Sequence, residues 1–270
     1  MAYATVDYEL RGTTGILSLN RPEKLNALSP EMKTELQHCL KQAARDENVR
    51  VLILTGRGRA FSAGGDLQAF KKAYESYRRG GADDSFTDPA LPRAFTDFPK
   101  PMIAAVNGPA VGFGLTVSLT CDIRIASELA RFVCAFVRIG VTPEFGSSYF
   151  LPRLVGYAKA AELAMTARPV EADEALRIGL VNRVVPHADL MREAKEMADA
   201  IGRFPSQSVR AVKTLMRHGL HSTLEQVIDY EELAFRHLMQ KKEHYDAVCA
   251  TIEAIAKSKK KVKRIAGHLE

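Results

Sequence analysis

Two glycine-rich stretches of this chain offer chemistry through their backbones. The first is Asn107-Gly108-Pro109-Ala110-Val111-Gly112-Phe113-Gly114-Leu115-Thr116. It follows the apolar run Met102 to Val106, which reads as a short buried strand, and Leu115 to Thr120 reads as the start of a buried helix. Strand, glycine turn and helix in that order leave the first helical N–H groups without partners. Together with the positive end of the helix dipole, such donors suit an oxygen that carries or gains negative charge. The second stretch, Gly56 to Leu67, ends in Gly64-Gly65-Asp66-Leu67 and follows the apolar strand Val51 to Thr55. Gly65 N–H and Phe113 N–H are therefore two donors that form an oxyanion hole if they meet on one oxygen. Losing one donor of that kind costs roughly 10²–10³ in rate. The matching substrate is an ester or thioester whose carbonyl oxygen gains charge, through an enolate or a tetrahedral state. The alternative is structural: tight turns whose glycines permit close helix–sheet packing, with Asp66 holding its own turn.

Other chemistries find little support. No Gly-x-Ser-x-Gly elbow occurs, and Ser62 and Ser147 have no histidine nearby in sequence. The histidines lie mainly in the C-terminal half (His187, His218, His221, His237, His244), without metal spacing, and read as surface residues. Cys39, Cys121, Cys134 and Cys249 are scattered, three of them in apolar surroundings, as in a reduced, cytoplasmic protein. The balance of 46% hydrophobic and 26% charged residues is that of a soluble globular protein, with no apolar run long enough for a membrane span and no secretory signal at the start. The net charge of +6 owes much to Lys257, Lys259, Lys260, Lys261, Lys263 and Arg264. Such a tail is a solvated, flexible end, or a contact for phosphates or nucleic acid.

The elements that must position the turns follow from periodicity. Val6 to Arg11 and Ile16 to Leu19 form a hairpin around Gly12-Thr13-Thr14-Gly15. The Asn20 to Leu28 loop leads to a helix capped by Ser29 with Pro30 at its first position, and Met32, Leu36, Leu40 and Ala43 share its buried face. A helix between two buried strands predicts parallel or mixed sheet order. Gly80 to Pro92 reads as a mobile surface segment near the ligand entry. Asp122 to Ala126 is a strand, with Arg131 to Cys134 pairing beside it. A loop over Ile139 to Ser148 precedes a helix starting near Gly146. From Lys159 the chain is nearly all helix, over 159–167, 171–177, 187–203, 206–218, 221–240 and 242–257, interrupted by an extended Val181 to Val185. Leu224, Val227, Ile228, Glu231 and Leu233 describe a half-buried helix.

Ala60-Phe61-Ser62-Ala63-Gly64-Gly65-Asp66-Leu67 and Lys100 to Gly114 resemble the enoyl-CoA hydratase/isomerase family, the crotonase superfamily. So do Asn20 to Leu28, Cys121 to Ala126 and Ala175 to Val181, and the likeness extends from residue 3 to about 258. The resemblance implies an α/β fold: a crotonase-like spiral of ββα units with two stacked sheets over residues 1–200, then a helical region over 201–270 that trimerises. It implies an acyl-CoA thioester of fatty acid metabolism as ligand, with coenzyme A part of the substrate and neither a separate cofactor nor a metal. The thioester oxygen is expected between Gly65 N–H and Phe113 N–H, the Ala63 backbone facing the adenine, and Lys24, Leu25 and Ala27 bordering the CoA. Gly64, Asp66 and Leu67, in the same motif as Gly65, complete the expected binding set. A homotrimer or dimer of trimers follows, with the lysine tail closing a CoA site.

The hydratases of the family use two glutamates. By register with them this chain has Thr116 and Phe136 at those places, neither of which can act as a carboxylate base. The run Val141-Thr142-Pro143-Glu144-Phe145-Gly146-Ser147-Ser148 instead resembles the loop of the monofunctional, peroxisomal-type enoyl-CoA isomerases, which implies Glu144 as the single proton shuttle. Phe113, Phe136 and Phe145 are the expected apolar surroundings of that carboxyl. The structural alternative makes Glu144 a carboxylate that only stabilises the following helix. Arg138 and Glu231 remain unassigned. Three other readings stay open: weak hydration or thioester hydrolysis on the same scaffold, a CoA-binding protein without catalysis, and RNA binding through the lysine tail.

Overall fold

The computed structural model describes residues 3–81 and 88–266, with side chains as far as residue 257 in the last helix. The chain divides into two compact units, Met1–Gly202 and Arg203–Glu270.

In the first unit a hairpin of β1 (Val6–Arg11) and β2 (Thr14–Leu19) opens a mixed sheet. β2 then pairs in parallel with β3 (Val51–Gly56), β3 with β4 (Met102–Val106), β4 with β6 (Ile123–Ser127) and β6 with β9 (Arg183–Val185). The strand order is therefore β1-β2-β3-β4-β6-β9. β5 (Ala110–Val111), β7 (Arg131–Val133) and β8 (Val170–Glu171) form a second sheet in the order β5-β7-β8. β7 thus pairs with β5 and β8, not with β6 as its place in the sequence suggests. The turn Glu128 to Ala130 carries the chain off the first sheet: Glu128 N–H donates to Val185 O and Ala130 N–H to Ser127 O.

β3 and β4 are apolar on both faces because both faces are covered. Ile16, Val51, Ile53, Ile103, Ala105 and Ile125 point to one side, where α8 (Leu190–Gly202) lays Leu190, Ala194 and Ala198 against them at one-turn spacing. Leu17, Leu19, Leu52, Leu54, Met102, Ala104 and Val106 alternate to the other side. There they meet α1 (Pro30–Arg45), α3 (Ala90–Thr96) and α4 (Phe113–Thr120). Met32, Leu36, Leu40 and Ala43 of α1 are buried as the periodicity predicts, and Ser29 accepts from Met32 N–H at its cap. Lys100, fully buried, donates Nζ to Ala43 O at 2.7 Å near the C-terminus of α1. This favours the negative end of that helix and leaves no buried charge without a partner.

Of the stretch read as a mobile surface segment, residues 82–87 lie outside the described residues. Its end is ordered: α3 begins at Ala90, inside that stretch, and buries Leu91 and Phe95. Two prolines at 89 and 92 mislead the reading, because proline is tolerated in the first helical turn.

The second unit holds α9 (Ser206–Gly219), α10 (Leu224–Met239) and α11 (Lys242–Ala266). Thr223 and Gln226 form a reciprocal capping box at the start of α10. The α10 face expected to be half-buried is largely open, with Leu224, Ile228 and Leu233 all exposed. A three-helix unit has too little surface to cover every apolar stripe it carries. The basic end of the chain continues α11 as far as Ala266 instead of leaving it as an irregular tail. No described helix is long and apolar enough to cross a membrane.

The turns after β3 and β4 lie against each other. Ser62 and Ala110 form a parallel bridge, and Val111 N–H donates to Ser62 O at 2.9 Å. At Gly114 a Cβ would stand 2.5 Å from Ser62 O, a contact that only glycine avoids. Gly114→Ala should therefore lower stability by about 1–3 kcal/mol, the usual cost of overpacking. Thermal or denaturant unfolding measures this, and an unchanged midpoint would mean that the two backbones are not held so closely.

Candidate active site

The site lies at the carboxyl ends of β3 and β4, where parallel sheets place their ligands. The loop between β2 and α1 forms one border. Asn26, fully buried at φ +57°, donates its amide to Arg57 O and Ala60 O, each at 2.8 Å, and accepts from Arg21 N–H. Its own carbonyl accepts from Ser62 Oγ at 2.8 Å. Ala63 N–H donates to Leu25 O at 2.8 Å, Leu28 N–H to Gly64 O at 2.8 Å and Asp66 N–H to Leu28 O at 3.0 Å. This loop therefore fixes the Ala63–Asp66 backbone as an added strand would.

That lattice leaves Gly65 N–H aside. Among the described residues neither Gly65 N–H nor Phe113 N–H has an acceptor. Gly112, at φ +50°, turns the chain into α4, and a Cβ there would lie 3.8 Å from Gly64 Cα. The two turns that carry the free donors are thus neighbours.

Both turns open on one cavity of about 450 Å³. Ala63, Gly64, Gly65, Leu67 and Phe113 line it, together with Phe136, Phe145 and Glu144. Asp66 stands outside as the N-cap of α2 (Leu67–Arg78), accepting from Gln68 and Ala69 N–H. Lys24, Leu25 and Ala27 do not line the cavity: Lys24 is exposed on the loop, and Leu25 acts through its carbonyl on Ala63 N–H. Leu28, Lys33, Phe70, Asp88, Leu91 and Arg138 complete walls that the motifs did not single out as a group.

Glu144 sits just before a left-handed bend. Phe145 has φ +59° and Gly146 φ +75°. For a non-glycine residue that conformation costs about 1–2 kcal/mol. The Phe145 ring, buried against Phe95 at 5.7 Å and Phe113 at 5.5 Å, offsets the cost. The Glu144 carbonyl accepts from Ser147 N–H at 2.9 Å and Ser147 Oγ at 2.6 Å, which ties its backbone to the start of α5 (Ser147–Val155). Its carboxylate makes no hydrogen bond or ion pair to a described residue, so it does not cap that helix; Gly146 is the N-cap. The residue is exposed on the cavity wall, with the walls of the cavity partly desolvating its carboxyl. Burial pushes its carboxyl above the ordinary range, and the charge of Lys33 opposes that shift. Thr116 is fully buried inside α4, its Oγ1 donating to Phe113 O, and it does not reach the cavity wall. Asp88 is the other carboxylate among the described wall residues; it holds Lys33 at 3.3 Å and accepts from Ala90 N–H at the start of α3.

Two free backbone donors and a carboxylate on the wall of one largely apolar cavity are groups suited to enolate chemistry. The chain matches the enoyl-CoA hydratase/isomerase family over residues 11–258 and belongs to that family. It is 37% identical over 254 residues to a short-chain-enoyl-CoA hydratase of Clostridium acetobutylicum, covering 94% of this chain and 96% of that protein. It is also 37% identical over 217 residues to 1,2-epoxyphenylacetyl-CoA isomerase of Escherichia coli, covering 80% of this chain and 82% of that one. The crystal structure of an enoyl-CoA hydratase from Bacillus anthracis superposes with a TM-score of 0.84 at 32% identity, covering 93% of this chain and 97% of that one. The fold is the α/β crotonase fold, as the motifs led us to expect, and the chain is an acyl-CoA enzyme of this family.

Asp66 gives the site its pH-dependent stability. Burial raises its carboxyl, but Ala69 N–H, Arg21 and Gln68 N–H together outweigh burial and hold it below the ordinary value. A lowered folded-state value contributes stability above the unfolded value, and that stability is lost as pH falls through the folded one. Asp66→Asn keeps a capping oxygen and removes the negative charge that faces Arg21. The variant should melt below wild type at neutral pH, with the gap closing in acid; a gap independent of pH would sink this assignment.

Proposed function

We propose that this protein binds a 3-enoyl-CoA thioester and shifts its double bond to the 2-position. Gly65 N–H and Phe113 N–H hold the thioester oxygen while charge develops on it. Glu144 removes a proton from C2, the two donors stabilise the dienolate, and the same carboxyl returns the proton at C4. One group suffices because the proton leaves and re-enters the same molecule. The observation that carries the reading is the Glu144 carboxylate on the cavity wall, unpartnered, beside Phe136 and with Thr116 buried out of reach. Ala63, Gly64 and Leu67 fit the CoA-binding border. Lys24 and Asp66 stand beside it, Lys24 with its charge in solvent and Asp66 as a structural cap. Leu25 and Ala27 contribute backbone.

A second reading is hydration of a 2-enoyl-CoA. The relatives' names favour it: several of the similar proteins are called enoyl-CoA hydratases. Hydration needs a second group to position and activate water, and Asp88 is the other cavity carboxylate available for that. We also place the chain in the cytoplasm and propose self-association, as a trimer or dimer of trimers, through the exposed apolar face of its helical unit.

Glu144→Gln tests the chemistry. Isomerisation of a 3-enoyl-CoA should fall by roughly 10²–10⁴, the usual contribution of a positioned general base. Because the base starts ionised, wild-type kcat/KM should decline as pH falls through a value above the ordinary carboxylate range. Undiminished isomerisation in the variant would defeat the role of Glu144. Robust wild-type hydration of a 2-enoyl-CoA, without isomerisation, would select the second reading.

A further inference from the structure

We propose that Lys33 and Asp88 form a charge balance that sets how readily Glu144 binds and releases its proton. This rests on Glu144 being the acid–base group of the site. The three side chains come from different parts of the chain and line one cavity: Lys33 from the first turn of α1, Asp88 from the segment before α3, and Glu144 from the bend before α5. Lys33 Nζ stands 3.3 Å from the Asp88 carboxylate, with its side chain only 14% exposed.

The position of Lys33 runs against local preference. A cation near a helix N-terminus meets the positive end of the dipole, where an anion would be favoured. A local rule broken in a cavity wall marks a residue kept for the site. Among the charged groups that face this cavity, Arg138, from the 3₁₀ turn Ala135–Ile139, is engaged with Ala167 O. Gly65, just before the N-cap of α2, and Phe113, at the start of α4, line the same cavity and add backbone donors to it. Lys33, on the same cavity wall, is the cation that opposes the effect of burial on Glu144, and burial is the larger of the two. Asp88 neutralises part of that field. The pair acts as a positioning element for charge and does not touch the reacting atoms.

The two members of such a pair must act in opposite directions. Lys33→Met keeps the stem but removes the cation and leaves Asp88 uncompensated, so Glu144 should hold its proton to higher pH. Asp88→Asn keeps the cap on Ala90 N–H and removes the Asp88 counter-charge from Lys33, so Glu144 should ionise at lower pH. Lys33→Arg retains the charge and should stay near wild type. The experiment titrates the full-length protein by carbon NMR with labelled glutamate carboxyls, the Glu144 signal being identified by its absence in Glu144→Gln. Opposite displacements in Lys33→Met and Asp88→Asn support the charge balance. Displacements in one direction, or none, overturn it. If Lys33→Met does not fold, Asp88→Asn against Lys33→Arg decides: a downward shift in the first alone supports the pair, and its absence overturns it. Activity of Glu144→Gln on a 3-enoyl-CoA is measured alongside. Retained activity there defeats the catalytic reading, whereas loss of activity without opposite NMR shifts defeats only the charge balance.

Discussion

The site depends on two stretches of bare backbone lying against each other. Ser62 O sits where a Gly114 side chain would begin, and Gly112 passes close to Gly64. A Cβ on Gly114 would force the turns apart, and one on Gly64 would stand 3.1 Å from Val111 O. This contact makes neighbours of two helix starts that belong to adjacent parallel strands. Each helix start has spare donors by its geometry. Brought together, their free donors lie on one cavity. Backbone donors of this kind cost no reorganisation when charge develops, because the strands behind them are already fixed. Those strands are fixed in turn by burial on both faces, which is why β3 and β4 are continuous apolar runs.

A second constraint governs the carboxylate. Glu144 precedes a residue whose backbone adopts a conformation that L-residues avoid. Phe145 keeps that conformation because its ring is locked between Phe95 and Phe113. Phe113 and Phe145 of the aromatic cluster that bends the chain also line the cavity, so the same side chains set where Glu144 stands and supply apolar wall beside it. Phe113 belongs to both halves of the site: its N–H is one of the free donors and its ring supports the bend. A change in that ring would disturb the oxygen-binding and proton-binding sides together.

Much of this was legible in residue order. The strand–glycine–helix pattern marks both turns, and Ser29-Pro30 marks the start of α1, because these features depend on local backbone chemistry. The resemblance extended the reading to the fold. What escaped was determined by distant partners. Asn26 looks like any loop asparagine, yet it is fully buried and ties the loop to Arg57 and Ala60. Lys33 and Asp88 are ordinary surface types, far apart in sequence, and only the packing of α3 on α1 joins them. β7 reads as a neighbour of β6, but a turn of three residues sends it to another sheet. The α10 stripe has the period of a buried face, and periodicity cannot say which surface covers it.

Hydration and double-bond migration make different demands on one scaffold, and the reason is physical. Hydration adds two hydrogens and an oxygen across a double bond, so a water must be held and a proton delivered at separate carbons. Two suitably placed carboxyl groups do this. Double-bond migration moves one proton over a short path on one face of a bound dienolate, and a second carboxylate near that path would repel the first and raise the cost of the enolate. Thr116 buried in its helix and Phe136 on the cavity wall carry no charge that would add to that repulsion. Asp88 is the remaining carboxylate on the described wall, and its pairing with Lys33 limits the negative charge it adds. A scaffold built to stabilise an enolate serves either reaction. The number and placement of the acids around it decide which one is favoured.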